Sequence, residues 1–201
     1  MKIIDLSQPL TNDTPHYPGD NPFKLHEAQF KDITISSMST SMHVGTHLDL
    51  PRHMLKDNRT VKDIPLMAFI GKARVIDVRN PYQNGIFDDV LENDIILIRT
   101  DYSKDFSKPG YYDNFPVLKD HWVDTLLSKK IKLLGLDTPS PDKAPYPLHK
   151  KLFNQDIFII ENLTNLDQLP LNKPFMFYGV PLNVAAEGSL IRAFAILDKI
   201  T

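Results

Sequence analysis

Four residues of the kind that bind metal ions, His43, His47, Asp49 and His53, fall within eleven positions: His43-Val44-Gly45-Thr46-His47-Leu48-Asp49-Leu50-Pro51-Arg52-His53. All four are odd-numbered. In an extended segment the odd positions point to one face, so three imidazoles and a carboxylate would converge on one side of a strand. A helix would also bring His43 and His47 together, at i and i+4. Gly45 and the β-branched Thr46 between them, and Pro51 soon after, argue against a helix. The preceding run, 33–42, alternates and is rich in β-branched and small residues, as a strand is. Gly45 is expected to let a metal or substrate approach the backbone closely. Imidazole nitrogen with carboxylate oxygen is the donor set that a borderline divalent cation such as zinc prefers. A lone histidine is usually a packing or surface residue, but metal sites are where such side chains gather this densely.

The length of 201 residues suits one domain, 1–201, with a substantial core. Net charge is −2 and the basic residues are scattered, which offers no electrostatic footprint for nucleic acid or anionic lipid. No apolar run is long enough for a signal peptide or a membrane span, so no membrane partner is expected and the cytoplasm is the expected location. Cysteine is absent, which removes disulfides, thiolate ligands and cysteine nucleophiles together. Sixteen prolines against eight glycines mark stiff loops at 9–22, 139–147 and 170–181, and sites tend to be built on structured loops.

Short apolar runs read as strands at 3–6, 23–30, 33–42, 73–78, 94–100, 131–136, 156–160, 174–180 and 190–197. One amphipathic helix stands out at 117–130, with Pro116 suited to its first turn. Shorter helices are expected near 61–69, 87–91 and 148–153. The sum predicts an α/β protein dominated by strands, with a mixed sheet and few helices.

A metal centre assembled from one strand would be incomplete. His149, in Pro147-Leu148-His149-Lys150-Lys151, and Glu161, which ends the run Asp156-Ile157-Phe158-Ile159-Ile160, are candidates for the missing ligands. Each is weak alone, since a helix histidine and a strand-terminal glutamate are both ordinary. His16, His26 and His121 are no better placed, and His121 lies in the amphipathic helix, where packing or solvent exposure is expected.

The pattern His43-x-Gly45-Thr46-His47-x-Asp49-x-Pro51-x-His53 resembles the signature of the cyclase/metal-dependent hydrolase family, which includes bacterial kynurenine formamidase and isatin hydrolase. The likeness extends through Asp5-Leu6-Ser7, Tyr17-Pro18-Gly19-Asp20, the segment from Gly135 to Asp142, the segment from Glu161 to Pro170, Pro181-Leu182 and the segment from Gly188 to Ala193. It implies a swivelling β/β/α-type fold with a mixed sheet or open barrel. It also implies two divalent metal ions per chain, zinc first and manganese as the alternative. His43, His47 and Asp49 match the ligands of one ion and His149 a ligand of the second. Asp49 and Glu161 match the carboxylates shared between them, and His53 matches the catalytic histidine that handles protons. The family implies a homodimer or homotetramer. Kynurenine formamidases carry tryptophan where this chain has Tyr17, a residue expected to meet the substrate, and tend to carry alanine at Thr46.

These residues support hydrolysis of a carbon–nitrogen bond other than a peptide bond. A bound divalent metal lowers the pKa of water from about 16 to about 7 and supplies hydroxide at neutral pH. His53 is suited to take a proton and return it to the leaving nitrogen. The expected substrate is a small amide, a formamide, lactam or imide, possibly aromatic. Kynurenine formamidase proper is an alternative, as is a cyclase or dehydratase using the same centre. The non-enzymatic alternative is a purely structural metal, whose shell protein ligands would close. A histidine held apart from the ligand set favours catalysis.

Overall fold

The run Ile95-Ile96-Leu97-Ile98 is apolar at every position, the pattern of a parallel strand buried on both faces. The computed structural model, which describes residues 1–80, 82–83, 85–171 and 173–197, places it in β6 (Ile95–Arg99). β6 pairs in parallel with β5 (Ile70–Asp77) and β7 (Leu133–Leu136), and β7 with β8 (Phe158–Glu161). Antiparallel pairings through β4 (His47–Asp49), β10 (Gly188–Leu197) and β9 (Phe175–Pro181) lead back to β5. The mixed sheet therefore closes into a seven-stranded barrel, and β1 (Lys2–Asp5) adds to β10.

Alternation along the strands divides the apolar side chains between two cores. Leu48, Ile95, Leu97, Leu133, Phe158, Ile160 and Phe177 form one, inside the barrel. Ile96, Ile98, Leu134 and Ile159 face the other way. They are covered by Trp122, Val123 and Leu126 of α1 (Asp120–Ser128) and by Leu148, Leu152 and Phe153 of α2 (Pro147–Phe153). Each helix is the crossover that a parallel strand pair requires, α1 between β6 and β7 and α2 between β7 and β8. Burying a side chain of this size is worth about 1.5–3 kcal/mol, so the two cores dominate the fold's stability.

β2 (Lys24–Phe30) and β3 (Ile33–Ser39) form a separate ribbon, registered from Lys24 opposite Ser39 to Phe30 opposite Ile33. Every residue of both strands is exposed.

The α/β, strand-rich frame with few helices is as expected, but several local expectations are corrected. The segment 43–53 is not one extended strand: turns precede β4, and Pro51–His53 is a single 3-10 turn, which Pro51 begins. The helix expected from 117 starts at Asp120, because the Leu118 N–H bonds to the Pro141 carbonyl at 2.9 Å and holds the chain out of helical geometry. Residues 61–69 form two 3-10 turns, and 87–91 a non-helical turn. The proline-bounded stretch 170–181 is mostly β9 rather than loop.

Candidate metal centre

Register brings the first three candidates together. His47 in β4 lies opposite Glu161 in β8, and the outward-facing positions of these strands carry His47, Asp49 and Glu161 while Leu48 and Ile160 point into the barrel. His149 stands in the first turns of α2 on the same outer face, and its Nε2 lies 3.2 Å from Glu161 Oε1 and 3.9 Å from Asp49 Oδ2. His43 reaches the cluster from the turn before β4, with Nδ1 2.7 Å from Asp49 Oδ1. His53, one 3-10 turn after β4, lays its ring against His43 at a centroid distance of 4.0 Å. Residues predicted to share one strand face thus come from a turn, a strand and a 3-10 turn.

Both carboxylates divide their oxygens between two directions. Asp49 turns Oδ1 to His43 and His47, the latter at 3.3 Å, and Oδ2 towards His149. Glu161 turns Oε2 to His47 Nε2 at 3.4 Å and Oε1 to His149. The His47 Nε2 atom is buried, yet neither nearby oxygen is aligned to hydrogen-bond with it, so it has no hydrogen-bond partner. Its tautomer is fixed from the other side, since Nδ1 meets the Gly45 carbonyl at 2.9 Å and a carbonyl only accepts. In the neutral ring the lone pair therefore lies on Nε2. Two ligands bound tetrahedrally at 2.0–2.1 Å stand roughly 3.4 Å apart. The distances from His47 Nε2 to the two carboxylates match that edge, and the donor set suits a divalent ion.

Backbone geometry and outer residues hold this arrangement. Gly45 serves a turn rather than the expected close approach of a ligand. It has φ +65°, and a Cβ there would stand 2.6 Å from Leu10 Cδ2. Its carbonyl also accepts from Asn162 Nδ2 at 3.0 Å, and Thr46 Oγ1 donates to the Asn162 carbonyl at 2.7 Å. Gly188 makes room for the His43 ring, because a Cβ on it would lie 2.9 Å from His43 Cε1. Asp142 accepts from the His149 ring Nδ1 at 2.6 Å and from the Leu148 and His149 N–H groups at the start of α2. Glu187 accepts from His43 Nε2 at 3.3 Å.

The electrostatics of the cluster call for positive charge. Burial opposes the charged forms of His43 and His47, yet Asp49, joined at His47 by Glu161, raises both imidazoles, His47 strongly. Burial likewise opposes the Asp49 carboxylate, but His47 and His43 hold it well below the usual range. His149 is raised to about 9, against burial, by its bonds to Asp142 and Glu161. His53 is the exception: burial lowers it, against the pull of Asp49. A divalent cation would supply the charge that protons otherwise bring.

A cavity of about 320 Å³ opens over the cluster, lined by the six residues above together with Tyr17, Asp20, Tyr112 and Tyr146. Tyr17 sits at its edge, 38% exposed, its hydroxyl 3.0 Å from that of Tyr146. His121 lies elsewhere, edge-on to Trp122 in α1.

Sequence reasoning passed over Asp142, Glu187, Tyr112 and Tyr146. Asp142 had a legible signal, an acid just ahead of a proline-started helix. Glu187 had none, because only the pairing of Gly188 with Asp49 brings it to His43.

The Cyclase family model, described as "Putative cyclase", matches residues 4–143. The kynurenine formamidase of Bacillus mycoides (strain KBAB4) is 34% identical over 94% of this chain and 95% of its own length. That of Bacillus anthracis is 33% identical over 96% of both. Isatin hydrolase A from Labrenzia aggregata, solved bound to benzyl benzoate, superimposes with a TM-score of 0.82 at 26% identity, covering 96% of this chain and 93% of that one. Isatin hydrolase A from Ralstonia solanacearum shares the fold with a TM-score of 0.86 at 23% identity, over 98% and 92% of the two chains.

Proposed function

The chain belongs to the Cyclase family, and on that premise we propose that it is a metal-dependent hydrolase of small amides with a dinuclear centre. The observation that carries this reading is the division of the Asp49 and Glu161 oxygens between His47 and His149, with a buried His47 Nε2 that has no hydrogen-bond partner between the two carboxylates. His43, His47 and Asp49 would hold one ion and His149 the other, with Asp49 and Glu161 shared. Nitrogen and oxygen donors without sulfur suit zinc, with manganese as the alternative. Relatives named kynurenine formamidase and a fold shared with isatin hydrolases support a carbon–nitrogen bond outside the peptide class as the target.

When bound, two such ions activate water and polarise the substrate carbonyl. The remaining steps belong to the protein. His53, at the cavity beside His43, takes a proton from the attacking water and returns it to the leaving nitrogen, giving an acid and an amine. Asp142 and the Gly45 carbonyl fix the tautomers of His149 and His47. Tyr17 lies over the cavity mouth and covers one face of the substrate.

One observation favours a second role for His53: ligand atoms of His43, Asp49 and His53 all lie within 4.8 Å of one another, close enough for His53 to be a ligand itself.

We also read the chain as a homodimer or homotetramer. A two-stranded ribbon is marginal alone in water, and this one leaves Phe30 61% and Ile33 58% exposed. Light scattering giving the mass of a monomer at micromolar concentration would contradict the oligomer.

The function is tested by elemental analysis of protein loaded with zinc or manganese, followed by hydrolysis of formamides, lactams and imides. Two ions per chain with turnover of at least one class is the expected result. Two tightly bound ions without turnover of any class would favour a structural metal.

A further inference from the structure

One buried amide stands between a cluster of aromatic residues and the ring of His47. Asn162 follows Glu161 directly, is fully buried and has φ +58°, a conformation that glycine and asparagine tolerate best. Its side chain is a bridge of fixed polarity. The Gly45 carbonyl only accepts, so the group facing it at 3.0 Å is Nδ2. Oδ1 is then turned the other way, where the Tyr111 hydroxyl donates to it at 2.9 Å. The same Gly45 carbonyl accepts from His47 Nδ1 at 2.9 Å, so both its lone pairs are used.

Asn162 also grips the far side of the peptide that carries this carbonyl. Its own carbonyl accepts from Thr46 Oγ1 at 2.7 Å, and its N–H bonds to the Thr138 carbonyl at 3.0 Å. The grip matters because Gly45, at φ +65°, has the freedom to turn its carbonyl away from the imidazole. Tyr111 is itself held firmly. It is 3% exposed, its ring stacks on Tyr102 at 5.0 Å and meets Phe106 edge-on at 5.2 Å, and its carbonyl accepts from the Tyr102 hydroxyl at 2.7 Å. Burial pushes the Tyr111 hydroxyl far above the usual tyrosine range, so it remains a donor. Neither Tyr111 nor Asn162 lines the cavity, so neither touches what the cavity holds.

We infer that Asn162, with Tyr111 behind it, is a positioning residue for His47: it locks the Gly45 carbonyl onto Nδ1 and so aims Nε2 between Asp49 and Glu161. The consequence for metal binding rests on the function proposed above. The bond to Gly45 joins β4 to the end of β8 through side-chain chemistry, beside the pairing of His47 with Glu161.

The test uses two variants of the full chain. Asn162→Gly removes the bridge and keeps the left-handed backbone without strain. Tyr111→Phe removes one hydroxyl and leaves the residues next to Glu161 as they are. Zinc affinity is measured by chelator competition. Exchange of the His47 Nδ1 proton is measured by NMR on the zinc-loaded protein, with the His149 Nδ1 proton, held by Asp142, as the internal control. In Asn162→Gly the ion at His47 should bind about 10-fold more weakly, and the His47 proton should exchange faster while that of His149 is unchanged. Tyr111→Phe should move both readings in the same direction by less. Unchanged exchange at His47, equal acceleration at both histidines, or an equal loss of affinity for both ions overturns the positioning role. If Asn162→Gly does not fold, the same readings on Tyr111→Phe decide. If the wild-type protein binds no zinc, the metal-dependent reading fails, and the positioning role is decided by the two exchange rates in the metal-free protein. Acceleration confined to His47 upholds it there, and acceleration at neither or at both overturns it.

Discussion

Asp142→Asn sets two hydrogen-bonding demands against each other. Asp142 is 5% exposed, and its Oδ2 accepts from the Leu148 N–H at 2.6 Å and the His149 N–H at 3.4 Å. Its Oδ1 accepts from His149 Nδ1 at 2.6 Å. Asparagine keeps one acceptor oxygen and replaces the other with an NH2 donor. If the oxygen stays on the helix, the NH2 faces His149 Nδ1 and drives the ring proton to Nε2, removing the lone pair that a metal ion would need there. If the oxygen stays on His149, the NH2 meets two backbone N–H groups and α2 loses its cap. The first arrangement costs metal affinity, about 10–100-fold for loss of such an outer partner, equivalent to about 1.4–2.7 kcal/mol. The second costs about 1 kcal/mol of stability. Zinc affinity by chelator competition, urea unfolding of the metal-free protein and the ¹⁵N shifts of the His149 ring separate the two. The ion assigned to His43 and His47 should be retained in either case. Unchanged affinity for both ions, together with unchanged metal-free stability, would refute the reasoning.

Three further outcomes are expected. His53→Ala should keep both ions and lose most turnover, whereas His47→Ala should lose an ion as well; equal metal loss in both variants makes His53 a ligand. Glu187→Ala should weaken the ion at His43 by about 10-fold or more, with Glu187→Gln partly restoring it because the amide oxygen can still accept from Nε2; identical affinity in both variants and wild type would remove Glu187 from the account. Asp137, raised to about 6 by burial against its bonds to Thr100 and Asp101, binds its proton more tightly in the folded than in the unfolded chain. Its contribution to stability is therefore greatest below about pH 4 and declines as pH rises to about 6, by roughly 3 kcal/mol. A carboxyl ¹³C titration placing Asp137 below pH 4 would exclude this.

The period-two pattern of 43–53 announced the site and misdescribed its geometry. Only Leu48 and its neighbours His47 and Asp49 are strand. The turn at Gly45 and the 3-10 turn begun by Pro51 are tertiary choices, stabilised by Asn162 on the Gly45 carbonyl and by Leu10 packed where a Cβ would sit. The apolar run in β6 was legible because both its faces are buried, and burial on both faces needs no knowledge of partners. The barrel's closure was not, because it depends on β10 pairing with both β4 and β9. His149 and Glu161 were weak as isolated residues. Their meaning comes from the pairing of His47 with Glu161 and from α2 crossing that face, neither of which local pattern encodes.

The dinuclear centre is tested most directly by anomalous diffraction at the zinc edge from crystals grown with zinc. Two peaks per chain are expected, one in contact with His47 Nε2 and Asp49, the other with His149 Nε2, and both touching Glu161. A single peak, or two peaks with Glu161 touching neither, would contradict the shared-carboxylate centre.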